Sequence, residues 1–160
     1  LGLIRSKALM IKINVITNNV RWKKNIKNPS VYIDRKLQKL NLKNKKFSNK
    51  IIHCSLLLSG DKEIKLLNKK FRKKNKTTDV LSFPFYKKTE LKKKLKKEKE
   101  IYLGDIIINY NKIKNKTFIN EFDRLWIHGL VHLLGHDHKK EKDYLRMNKI
   151  EKKYNQFVND

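Results

Sequence analysis

The chain has 160 residues and a formal net charge of +26, from 41 Lys+Arg against 15 Asp+Glu. Its length suits one domain, and a chain of this size buries about 68–70% of its unfolded surface and folds without staples. A single cysteine, Cys54, excludes an internal disulfide framework and suggests a reducing compartment, and no apolar run approaches the roughly 20 residues of a membrane span.

Residues 1–9, LGLIRSKAL, lack the apolar stretch and cleavage site of a secretory signal. They are expected to be an extension or a misplaced start ahead of one catalytic domain at 10–160, in a cytoplasmic protein. IKINVIT (11–17) alternates apolar and polar residues, which predicts a strand with one buried face. Pro29 suits the first turn of a helix, and VYIDRKLQKLNL (31–42) follows with helical spacing. IIHCSLLLS (51–59) is apolar enough for a central strand. Ser59 is the expected start of the next helix, GDKEIKLLNKKFR, with acids in its first turn. DVLSFPF (79–85) predicts a strand that ends, or lies at an edge, near Pro84.

KKTELKKKLKKEKE (87–100) carries eight lysines and is expected as a solvated surface segment, a short helix with Leu91 and Leu95 on one side. The alternative is a mobile arm gripping RNA phosphates. IYLGDIIIN (101–109) predicts another strand. From about Lys112 to Leu134 the spacing is helical, with Phe118, Phe122, Leu125, Trp126 and Leu133 on the apolar side. A closing helix is expected from Glu141 to Phe157, packing through Tyr144, Leu145 and Ile150. The irregular alternation of elements predicts an α+β fold, a single mixed sheet with helices packed against it.

A basic surface attracts phosphate backbones by counterion release. Only six of the 41 cations are arginine, however, and the chain is rich in Asn and Ile. An AT-rich coding sequence produces that bias by itself, so charge alone does not identify nucleic acid as the partner.

Chemistry concentrates in HGLVHLLGHDH (128–138), which holds four of the five histidines. His128 and His132 lie one helical turn apart on one face and can bind one ion, at about 2.0–2.1 Å if it is zinc. Gly135 behind the Leu133–Leu134 pair is a helix stop, after which the chain turns back and His138 approaches from another direction. Three protein ligands leave one tetrahedral position open, the catalytic arrangement; His136 as a fourth ligand would close the site and make it structural. Gly129 stands where zinc proteases with the HExxH motif carry their general base. Asp137 can serve as a base, but the favoured role is orienting a ligand ring through its other nitrogen. A base-poor cationic site suits phosphodiester chemistry better than peptide hydrolysis.

HGLVHLLGHDH resembles the signature of the YbeY family, metal-dependent endoribonucleases of bacterial rRNA maturation. LNKKFRKKNKTTDVLSFPF (67–85) and YLGDIIIN (102–109) are similar to two further blocks of that family, in the same order and spacing. The resemblance implies one α+β domain, one zinc ion on His128, His132 and His138, and single-strand-acting cleavage of ribosomal RNA. It further implies roles in 16S rRNA 3′-end maturation and ribosome quality control, on or near the small ribosomal subunit. It points to Arg72 as the arginine that meets RNA in the cleft, and it matches Asp79 and Ser82, read here as turn or strand-edge residues. The family often has tyrosine where His136 stands and proline where Thr77 stands, and its segment matching 87–100 is usually shorter. The rival reading is a non-cleaving ribosome-assembly factor with a structural zinc. A third is a zinc hydrolase of other substrates, against whose peptidase version Gly129 argues.

Overall fold

The computed structural model describes residues 10–47 and 49–160, so the expectation for residues 1–9 lies outside the described residues. Strands β1 (Ile11–Thr17), β2 (Ile51–Ser59), β3 (Val80–Pro84) and β4 (Glu100–Asn109) form one sheet in the order β1-β2-β4-β3. The first three positions in that order are parallel, and β3 closes the edge antiparallel to β4. Five α-helices and three short 3-10 turns accompany the sheet among the described residues, the α-helices being α1 (Pro29–Lys43), α2 (Asp61–Arg72), α3 (Lys88–Lys97), α4 (Phe118–Leu133) and α5 (Glu141–Asn159). The α+β expectation, with a mixed sheet and helices against it, therefore holds.

The period-two pattern of the strands decides what each sheet face meets. Ile52, Cys54, Leu56 and Leu58 of β2 are buried in the main core, which also takes Ile11 and Ile13 of β1 and Ile106 and Ile108 of β4. Trp22, Phe122 and Trp126, all fully buried, fill the space between this face and the helices. The opposite face carries a much smaller cluster, Ile64 of α2 on Leu81 and Ile107. Helix α1 is tied to the edge strand β1 by Asn41, whose side-chain amide accepts from the Ile11 N–H and donates to the Ile11 carbonyl, both at 3.0 Å.

Helix α1 starts at Pro29 as expected, with Asn28 capping it by accepting from the Val31 N–H at 3.2 Å. Three other local expectations shift, each for a physical reason. Gly60, not Ser59, caps α2; Ser59 is the buried end of β2, and its carbonyl accepts the Trp22 indole N–H at 2.9 Å. Helix α4 starts at Phe118 rather than near Lys112, after two short 3-10 turns. Glu121 secures that start by accepting from Thr117 Oγ1 at 3.0 Å and the Lys114 N–H at 3.2 Å. On α5 the buried stripe is Met147, Tyr154 and Val158 with Ile150 alongside, whereas Tyr144 and Leu145 are exposed. The stripe at 147, 150, 154 and 158 keeps helical spacing, and the first turn projects past its support.

The lysine-rich segment folds as the short helix α3. Leu91 is buried and Leu95 packs on the main core, while the lysines stay in solvent.

Candidate active site

Helix α4 turns its apolar side to the sheet and leaves His128 and His132 on the remaining face, both half-buried. The contact that seats it is Gly129. A Cβ there would lie 2.6 Å from Ile106 Cγ2, so α4 approaches β4 more closely than any side chain allows. Gly129 thus faces the sheet, and a carboxylate at this position would point into the core instead of toward the histidines.

The helix stops as its sequence predicts. Gly135 takes φ +97°, its N–H bonds the His132 carbonyl at 3.0 Å, and the His136 N–H bonds the Val131 carbonyl at 3.3 Å. This pair of bonds is the Schellman closure, which satisfies the last carbonyls and reverses the chain. The reversal returns His138 to the other two rings, at centroid distances of 6.0 Å from His128 and 5.1 Å from His132. One ring nitrogen from each of His128, His132 and His138 lies within 4.8 Å of the others. Nitrogens sharing one tetrahedral zinc stand about 3.4 Å apart, within reach of small side-chain rotations.

Among the described residues this is the one such metal-capable group, and His136 is outside it. Burial lowers the His136 pKa, and the charges of Lys46, Lys88 and Arg146 add to the effect. Burial and the neighbouring His128 and His138 push the His132 pKa down to about 4, with the Arg72 charge adding to the effect and Asp137 opposing it. His132 is therefore a neutral imidazole at physiological pH, the form that donates a lone pair to a metal.

His128 is oriented from α5. Glu151 Oε1 lies 2.5 Å from His128 Nδ1, which places the proton on that nitrogen and leaves Nε2 its lone pair. Glu151 was absent from the sequence-based candidates. Its signal was an acid beside Ile150 on the otherwise apolar stripe of α5. Asp137, expected to orient a ligand ring, has its Oδ1 on the backbone N–H of His138 at 2.7 Å, a bond that shapes the returning loop. Burial raises its pKa, but the His138 N–H and the charge of Lys139 outweigh that and lower it overall.

Arg72 ends α2 on the edge-strand side of this cluster. Its guanidinium donates to the Ser82 carbonyl at 3.0 Å and lies 5.7 Å from the Phe83 ring centroid, yet the residue is exposed. Ser82 is buried on β3, and the Asp79 carbonyl just before that strand accepts the Asn109 N–H at 2.8 Å. Thr77, where proline is common, ties the loop down by hydrogen bonds. Its hydroxyl donates to Asp61 at 2.9 Å and accepts from Asn109 Nδ2 at 2.9 Å. Bonds from Asn109 and Thr77 hold the Asp61 carboxyl below its ordinary pKa. Helix α3 lies against the Gly135 turn, where an added Cβ would meet Leu91 at 3.4 Å.

A three-histidine cluster at the end of a core helix, on a mixed α+β sheet and beside an exposed arginine, defines a class of candidate metal-site proteins. Known proteins specify it further. A family model described as Endoribonuclease YbeY matches residues 16–159. An Endoribonuclease YbeY of Pelagibacter ubique is 45% identical over 155 residues, covering 93% of this chain and 97% of that protein. One from Thermodesulfovibrio yellowstonii is 39% identical over 127 residues, covering 75% and 73% of the two chains. The chain belongs to the YbeY family. The solution structure of TM1509 from Thermotoga maritima has the same fold, with a TM-score of 0.56 at 24% identity over 93% of this chain and 89% of that one.

Proposed function

We propose that this chain is a zinc-dependent endoribonuclease acting on single-stranded ribosomal RNA, in 16S rRNA 3′-end maturation and quality control of the small ribosomal subunit in the cytoplasm. The observation that carries the proposal is the convergence of His128, His132 and His138 within 4.8 Å, with His136 outside the group. Such a set fits one zinc ion with a coordination position left for water or substrate. The relatives named Endoribonuclease YbeY supply the substrate class. No helix among the described residues is long and apolar enough to cross a membrane.

Zinc bound there supplies Lewis acidity toward a phosphate oxygen or a water. The chain's own residues do the rest. Glu151 holds the proton on His128 Nδ1 and so fixes which nitrogen faces the cluster. Burial keeps His132 neutral. Arg72, anchored through Ser82 and Phe83, offers its remaining N–H groups to the scissile phosphate, where a planar guanidinium can fork onto two oxygens.

Metal analysis of the purified protein should find one zinc per chain. Cleavage of an rRNA precursor should disappear with a chelator, return with zinc, and be absent in His132→Ala together with the metal. Arg72→Ala should retain zinc and lose about 100-fold or more in cleavage rate, as when one charge-stabilising donor is removed. Bound zinc without any cleavage would favour the non-cleaving assembly factor.

A further inference from the structure

The second face of the sheet is only partly covered. Helix α2 seals the row containing Leu57, Ile107 and Leu81, and the rows toward the start of β2 and β4 stay open. In one of these rows Lys12, His53 and Tyr102 are direct register neighbours on β1, β2 and β4. Phe85, just past β3, brings its ring to 6.0 Å from Tyr102, and the His53 ring lies 5.3 Å from Tyr102 on the other side. Phe85 is 66% exposed. Exposed rings grouped together mark interaction surfaces, whereas single exposed apolar residues are ordinary.

We propose that this open row is a stacking surface for the bases of single-stranded RNA, continuing the cleft that begins at Arg72; the choice of RNA rests on the endoribonuclease reading. Three observations support it. First, the surface is continuous with the candidate site: Arg72 lies over Phe83, and a groove of about 470 Å³ lined by Phe71, Phe83, Ser55 and Asp105 leads along the sheet from there. Second, the chemistry matches. Exposed rings on a sheet stack unpaired bases irrespective of sequence, and flanking cations hold the backbone. Lys12 ends the row, and the chain carries +26 overall. Third, of the acids along this path, Glu63 lines the groove beside α2 and the other two lie against neighbouring side chains. Glu100 pairs with His53 at 3.6 Å, and Asp105 accepts the Tyr102 hydroxyl.

The test is fluorescence anisotropy with the full chain, using a labelled 12-nucleotide oligouridine and an abasic 12-mer of equal charge. Cleavage of the oligouridine is scored separately on gels. Phe85→Ala should bind oligouridine about 10-fold or more weakly, the range expected for one lost stacking partner. Its affinity for the abasic strand should not change, and Phe85→Trp should restore oligouridine binding. Circular dichroism and thermal unfolding establish that the variants are folded. Equal oligouridine affinity for wild type and Phe85→Ala, or equal loss on both strands, would overturn the stacking surface. So would a dimer that Phe85→Ala dissociates with no change in RNA affinity, since the rings would then meet a second copy. If wild type binds through Phe85 but cleaves neither the oligouridine nor an rRNA precursor, the stacking surface stands and the nuclease reading falls. If it cuts while Phe85→Ala binds normally, only the stacking surface falls.

Discussion

Gly129 offers a measurement in which the sign of an effect reports the packing of α4 on β4. In Gly129→Ala the new Cβ meets Ile106 Cγ2 at 2.6 Å and both Cγ1 and Cδ1 at 3.1 Å. Ordinary carbon contacts are about 3.5–4.0 Å, so something must move by about 1 Å. Ile106 is fully buried on a strand flanked on both sides, and it has little room to yield. Overpacking of this kind costs about 1–3 kcal/mol, while alanine gains about 1 kcal/mol over glycine inside a helix. The net expectation is a destabilisation of up to about 2 kcal/mol. Ile106→Ala removes all three obstructing carbons and alone costs about 2–5 kcal/mol. In that background Gly129→Ala should stabilise by about 1 kcal/mol, because only the helix propensity remains. Urea unfolding followed by fluorescence of the buried Trp22 and Trp126 measures all four corners of the cycle. Gly129→Ala stabilising the wild type, or acting equally in both backgrounds, would refute the close contact. Gly129→Glu, which would write HExxH into the chain, buries a carboxylate against Ile106. It should leave little folded protein and no peptidase activity.

Glu151→Ala should weaken zinc binding about 10- to 100-fold in a chelator competition, with the protein still folded; unchanged affinity would mean the His128 bond does not tune the site. His132 has its pKa depressed from 6.5 to about 4, so the unfolded chain takes up its proton first as pH falls. The stability this contributes to the metal-free protein is full above about pH 6.5 and is lost progressively toward pH 4. Urea midpoints measured at pH 7 and pH 5 should therefore differ more for wild type than for His132→Gln, and equal differences would contradict the assignment. Asp123 is buried and takes bonds from the Tyr32 hydroxyl and the Trp126 indole at 2.9 Å, with Lys36 at 3.3 Å. Asp123→Ala leaves the Tyr32 hydroxyl and the Trp126 indole without their acceptor, while Lys36 keeps its bond to Asn159, and should cost about 3 kcal/mol in the same unfolding assay.

What could be read from the sequence was whatever is encoded locally. The strands appeared because their apolar residues alternate, and Gly135 appeared as a stop because a glycine behind two leucines leaves a helix few alternatives. Positions decided by a partner distant in sequence were not readable. Gly129 looked like a missing base, yet its identity is set by Ile106, 23 residues earlier on β4, and its distance from that side chain exists only after the sheet forms. Glu151 looked like one more surface acid, and only the packing of α5 on α4 brings it to His128. His136 is the instructive case, because its sequence position left it open as an alternative fourth ligand. The same Schellman turn that returns His138 to the cluster leaves His136 outside it. The three-histidine cluster and the fourth histidine left outside it are therefore consequences of one glycine conformation. Gly135→Ala, strained at φ +97°, should disturb the approach of His138 before it disturbs the His128–His132 pair on the helix above.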